Sequence, residues 1–223
     1  MSKGICMQQV TLRELYDRMY EAMGPQGWWP AESKIEIILG AILVQNTNWK
    51  NVERSLANLR QETDFEPAKI IQLNQKQLIA LITPSGFYQN KSKAILGIFR
   101  WLEPYDFNFQ EVKRTFGKNL RKELLSLRGI GEETADALLL YVFDEKVFVA
   151  DRYAQKLFTY LGVEKVTNYR LLKQKVPALS DFTLLQAQEF HGLIDEFGKR
   201  NLKNETAFLC SFLADTKLFI PIK

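Results

Sequence analysis

Two cysteines and one histidine are all that 223 residues provide, and that scarcity excludes chemistry before any motif is read. Cys6 and Cys210 stand far apart, no CxxC or Cys/His spacing exists, and His191 is alone. Neither a structural zinc site nor a four-cysteine iron–sulfur cluster can be assembled from such a set, and a disulfide framework has nothing to build on. Long hydrophobic runs are also missing. The most apolar stretches, near 35–44 and 137–143, are too short or too interrupted to span a bilayer. No signal-peptide pattern opens the chain, so a soluble, intracellular protein with no membrane partner is expected. Charge of one sign does not dominate either: a net charge of +4 permits a polyanionic partner without demanding one. The available chemistry is that of carboxylates, lysines, hydroxyls and aromatics.

Hydrophobic residues, at 46%, suffice for one or two compact domains. Their spacing is helical almost everywhere. "TLRELYDRMYEAM" puts Leu12, Leu15, Tyr16, Met19 and Met23 on one stripe, and "SKIEIILGAILVQN" does the same with Ile35, Ile38, Leu39, Ile42 and Leu43. The same period predicts helices over 49–59, 75–82, 91–102, 109–115, 119–126, 133–143, 152–161, 169–176, 184–197 and 203–213. Only "KVFVA" comes near to a strand. The expectation is an all-α protein of about ten to twelve helices. Ser33 (or Glu32) and Asn74 are placed as helix starts, and Gly162 as a stop. The apolar tail "KLFIPIK" is expected to pack down.

One step breaks the regular pattern. "SLRGIGEETADALLLYVF" sets Gly129, Ile130 and Gly131 between two helical segments, with Glu132 and Glu133 directly after. Glycines there reach backbone angles closed to other residues and let a second backbone come close. The amides of such a turn, with those of the helix that follows, make a seat for phosphate. A plain helix–turn–helix corner with packing glycines would carry the same pattern.

The surroundings of the step are informative. "LRGIGEETAD" resembles the helix-hairpin-helix motif L-x-G-[IV]-G-x-x-[ST]-A of the base-excision DNA glycosylases, the endonuclease III superfamily. In that family an aspartate opens a helix about a dozen and a half residues later. Here "VFVADRYAQKLF" supplies Asp151, 18 residues after Glu133. "ITPSGFYQNKSKAI" and "LGAILVQNTNW" resemble two upstream elements of the family, in order, and the likeness runs from about residue 30 to 200.

The resemblance implies a two-lobed helix-hairpin-helix glycosylase fold without an iron–sulfur cluster. One lobe would span 32–144 and end in the motif at about 120–143; the second would join 1–31 to 145–223, with Asp151 at the mouth between them. Asp151 is implied as the catalytic carboxylate, stabilising an oxocarbenium-like sugar and handling water. Helix capping is its alternative role, and the two are compatible. Glu133 stands where bifunctional members carry the lysine that attacks the sugar. A carboxylate forms no Schiff base, which implies glycosylase activity without AP-lyase activity. Glu132 reads as an ordinary first-turn acid.

Two departures narrow the branch. The family's V-D-[TS]-[HN] is Ala150-Asp151-Arg152-Tyr153 here, and the cluster cysteines are absent. A lysine-less, cluster-less chain with "GWWP" is similar to the 3-methyladenine DNA glycosylase III branch. That likeness assigns Trp28, Trp29, Pro30 and Trp49 to the base pocket, with one of Trp28 and Trp29 expected to plug the core instead. Glu133 would add attraction for a cationic alkylated purine, and tryptophan faces would stack on it. Lys199 falls where C-terminal helices approach the pocket, although a plain surface lysine is its simpler reading. His191 reads as a packed helix residue.

Gln45 and Asn46 either wedge into the base stack or cap backbone groups. Lys91, Lys93, Lys118 and Arg128, with the hairpin residues Gly129, Ile130 and Gly131, are expected to face DNA phosphates. No metal or cofactor is expected, apart from a monovalent cation that the hairpin could bind. The expected partner is double-stranded DNA with damaged bases, the protein acting as a monomer in the cytoplasm, with the nucleoid of a bacterial-type cell. Two rivals stay open: a glycosylase for another damaged or mismatched base, and a non-catalytic DNA-binding relative.

Overall fold

The computed structural model of the chain describes residues 7–220. Cys6 and the last three residues of the apolar tail lie outside them. The described residues form thirteen α-helices and one two-stranded sheet. No helix among them is long and apolar enough to cross a membrane. They sort into two compact units, Ala31–Asp144 and a unit made of 7–30 with 145–220.

The 31–144 unit contains α2 (Lys34–Leu43), α3 (Trp49–Thr63), α4 (Pro67–Gln72), α5 (Gln75–Ile82), α6 (Tyr88–Leu102), α7 (Phe109–Phe116), α8 (Leu120–Ser126) and α9 (Glu132–Tyr141). Sequence capping signals set several starts. Ser33 accepts the Glu36 amide to open α2, and Asn74 forms a reciprocal capping box with Gln77 at α5. Helix α2 is buried over most of its length, Ile35 and Ile38–Leu43 included, and it packs between α9, α3 and α6. Helix α4 escapes the period analysis because six residues hold too few turns to display a stripe. Its signal is Pro67 at the first helical position.

The second unit contains α1 (Leu12–Met23), α10 (Arg152–Tyr160), α11 (Tyr169–Lys175), α12 (Leu184–Asn201) and α13 (Glu205–Leu209). Thr11 and Thr183 each build a capping box, with Glu14 and Gln186 respectively. Gly162 follows α10 at φ +83°, the left-handed turn expected of a stop. Helix α12 is the spine, packing on α10 and α1 through Phe190, Leu193, Ile194 and Phe197.

"KVFVA", the stretch whose pattern comes nearest to a strand, is irregular backbone. The sheet pairs β1 (Gln8–Val10) with β2 (Thr216–Leu218) in parallel, Gln8 opposite Thr216 and Val10 opposite Leu218. Three-residue strands are too short to show alternation, and only the fold brings the two ends of this unit side by side. Leu218 is buried, and its amide donates to the Leu161 carbonyl at the end of α10.

Candidate functional site

The site residues of the 31–144 unit gather at the turn from α8 to α9. Gly129 sits at φ +84°, and a β-carbon there would stand 2.8 Å from the β-carbon of Ala94 on α6. Two separate constraints therefore demand glycine. Gly131 is different: φ −87° and ψ 179° suit any residue, and a β-carbon would meet nothing within 4 Å. Of the two glycines, Gly129 alone uses the backbone freedom expected of both. Gly131 faces open space at the N-cap of α9, where the first amides of a helix have no intrahelical acceptor. Ile130 is buried, and its amide donates to the Leu127 carbonyl at 3.1 Å, so this residue anchors the turn and does not present its N–H to a phosphate.

A buried carboxylate braces the same corner. Asp136 on α9 is fully buried and takes Nε and Nη2 of Arg121 on α8 at 2.8 and 3.2 Å. The geometry is that of a bidentate guanidinium–carboxylate pair, which fixes angle as well as distance. From the end of α2, the Gln45 side-chain nitrogen donates to the Gly129 carbonyl at 3.1 Å and to Thr134 Oγ1 at 2.9 Å. Of the two roles open to Gln45, backbone capping is the one this geometry makes. Asn46 is exposed, at φ +54°. Trp49 opens α3 half-buried, and Glu133 is exposed in the first turn of α9.

Lys91 corrects the sequence reading. It is 2% exposed, and its ammonium donates to the carbonyls of Leu43 at 2.8 Å and Ser85 at 2.7 Å. It is expected among the cations of DNA-facing loops, whereas it points inward from the first turn of α6 and offers no charge to a phosphate. Burial lowers its pKa to about 8. Lys93 is half-buried, while Arg128 and Lys118 are exposed. One residue the sequence reading passed over is prominent here. Phe87, just ahead of α6, is 65% exposed in a left-handed conformation at φ +49°. A bulky side chain held there is strained and solvated at once, a combination that favours function over folding.

In the other unit, Asp151 caps α10. Its Oδ1 accepts the Ala154 amide at 2.7 Å, and the residue is 8% exposed. Its Oδ2 stands 3.6 Å from Nε2 of His191. His191 begins a stripe on α12, followed one and two turns later by Asp195 and Lys199. Lys199 pairs with Asp195 and Glu196. Burial, reinforced by the nearby Asp151 charge, pushes the Asp195 carboxyl up. Burial opposes the Lys199 charge, but its bonds to Asp195 and Glu196 outweigh this and raise its pKa. The sequence reading set His191 aside as packing; the i, i+4, i+8 spacing of three ionisable groups was the available signal.

Two glycines of α12 let this cluster form. A β-carbon on Gly192 would lie 2.5 Å from that of Trp28, and one on Gly198 would collide with the ring of Tyr153. Trp28 is thus seated on α12, edge-on to His191, with the Lys199 ammonium 4.8 Å from its ring centre. Trp28 is half-buried, and one face of its ring is covered by a cation. Trp29 is half-buried beside it and Pro30 exposed. The Glu189 carboxylate accepts the amides of Gln26 and Gly27 and so anchors the loop that carries them. No group of His, Cys, Asp and Glu among the described residues is placed to hold a metal ion.

Residues 39–180 match the family model of the HhH-GPD superfamily of base excision DNA repair proteins. The chain is 38% identical over 190 residues to a Methanocaldococcus jannaschii protein assigned as a DNA repair glycosylase, covering 84% of this chain and 86% of that one. Among solved structures it is similar to the 3-methyladenine DNA glycosylase MagIII of H. pylori bound to 1,N6-ethenoadenine, with a TM-score of 0.68 and 30% identity over 86% of this chain and 98% of that one. A trapped endonuclease III–DNA covalent intermediate matches at a TM-score of 0.69 with 17% identity, over 86% and 87% of the two chains, a likeness of fold.

Proposed function

This chain belongs to the HhH-GPD superfamily and is a DNA glycosylase of base excision repair, and we propose that it hydrolyses the N-glycosidic bond of alkylated purines, 3-methyladenine above all, without cleaving the strand. The observation that carries the reading is Asp151. One oxygen is fixed by the Ala154 amide, the carboxylate is nearly out of solvent, and it lies in the same cluster as Trp28. A carboxylate held this way needs no reorganisation when positive charge develops on a sugar, and low exposure strengthens its field.

In the proposed reaction the C1′–N bond breaks and its electron pair goes to the leaving ring, which neutralises the cationic purine. Water then adds to C1′ and passes a proton to Asp151. An already cationic base leaves readily, so discrimination falls to recognition of the flipped ring. Lys199 covers one face of Trp28, which leaves Trp29 as the stacking face of this unit in this reading. The acid at position 133 offers no nucleophilic amine for lyase chemistry. The relative bound to 1,N6-ethenoadenine supports a pocket for modified adenines. Phe87 is the apolar side chain available to fill the stack when a base leaves it.

The test is base release from methylated duplex DNA, with products separated by chromatography and the reaction repeated with borohydride. Free 3-methyladenine, an intact abasic strand and no trapped adduct are expected. Release of other bases only would move the substrate class, and an efficient adduct would assign lyase chemistry to another amine. No release from any lesion would leave a non-catalytic DNA binder.

A further inference from the structure

The amide of Gln45 spends its donors inside the protein. It spans the turn, holding the Gly129 carbonyl on one arm and Thr134, in the first turn of α9, on the other. Thr134 is buried, and the Gly129 arm also rests on Ala94 of α6. The position of Gln45 depends on where α2 ends. Leu43 is the last residue of α2, and its carbonyl receives the Lys91 ammonium. Lys91 and Ala94 are three residues apart on α6 and so share a face. One side of α6 therefore supports the hairpin through Ala94 and the end of α2 through Lys91, and Gln45 closes the triangle.

We propose that Gln45 is a positioning residue that sets the hairpin's backbone, from Gly129 to the N-cap Gly131, for the DNA backbone, and that Lys91 acts through it by fixing the end of α2. The inference rests on the reading of the hairpin as the phosphate seat. It assigns two residues expected at the DNA surface to the support beneath it. Phosphate contacts position a protein on DNA without reading sequence. Loss of the support therefore weakens binding to every duplex alike and leaves the chemistry of a bound lesion intact. A side chain that wedges into the base stack behaves in the opposite way, because it acts only where a base is expelled.

Gln45→Met keeps length and removes both donors, and Gln45→Glu removes the donors and adds charge. Equilibrium binding to undamaged and 3-methyladenine-containing duplexes is measured alongside single-turnover base release at saturating protein. For Gln45→Met a loss of about 10-fold in affinity is expected on both duplexes, as for one or two hydrogen bonds, with the saturated rate within about 3-fold. Lys91→Met should follow in the same direction, and the double variant should lose less than the sum of the two, since one acts through the other. Unchanged affinity in Gln45→Met overturns the proposal. So does a loss confined to the lesion duplex or to the saturated rate. Gln45 carries the test alone if Lys91→Met fails to fold. Wild-type protein that binds no duplex defeats the phosphate-seat reading itself, an outcome distinct from wild-type binding that Gln45→Met leaves unchanged.

Discussion

The imidazole of His191 faces one oxygen of Asp151 at 3.6 Å while the Ala154 amide holds the other. The two contacts have different consequences. The amide fixes the carboxylate from the backbone, whereas the imidazole bounds it with a side chain that Trp28 meets edge-on. Asp195 and Lys199 follow on the same helix and complete the local field. His191→Ala should therefore slow single-turnover excision while leaving duplex affinity unchanged. An unchanged rate would make His191 a packing residue.

Asp151→Asn should fold normally, because asparagine caps a helix about as well as aspartate. Base excision should drop by about 100-fold or more, as for loss of one preorganised electrostatic partner. Single-turnover rates with thermal melts on the same samples check both halves. A rate within a few-fold of wild type would reduce Asp151 to a cap.

Alanine favours helices over glycine, so Gly192→Ala and Gly198→Ala in α12 would ordinarily stabilise it. Here the added methyl groups meet Trp28 and Tyr153. A net destabilisation of about 1–3 kcal/mol is expected from overpacking, together with slower excision as Trp28 and the start of α10 shift. Chemical denaturation gives the sign directly.

Lys91 should impose a pH dependence on stability. Its folded pKa of about 8 lies below the ordinary 10.5, so between those values the unfolded chain binds more protons. Its penalty is complete below about 8 and is relieved as pH rises. A neutral amine keeps two N–H donors, which matches the two carbonyls it serves. Wild type should gain on Lys91→Met by at most about 1.4 kcal/mol per pH unit above pH 8. Urea unfolding of both proteins between about pH 7.5 and 9.5 measures the difference.

Selectivity tests the proposed pocket. Trp49→Ala should cost about 1–3 kcal/mol of transition-state stabilisation if a base stacks there. Glu133→Gln should slow release of cationic 3-methyladenine more than release of a neutral lesion such as hypoxanthine. Equal losses on the two lesions would make the Glu133 contribution structural.

The sequence by itself determined the helices, because burial of one face at period 3.6 leaves its mark in any stretch longer than two turns. It determined their capped starts at Ser33 and Asn74, because those signals are local side-chain to backbone bonds. It marked the hairpin through Gly129 and the catalytic candidate through the spacing to Asp151. Tertiary structure alone decided what those residues touch. Lys91 reads as a surface group and Gln45 as a wedge or a cap alike, because charge and polarity say nothing about depth; an acceptor of each lies 48 and 84 residues away in the chain. The parallel pairing of β1 with β2, the seating of Trp28 on Gly192 and the approach of His191 to Asp151 are likewise contacts between distant segments. Each depends on where a helix ends in space, and no local period encodes that.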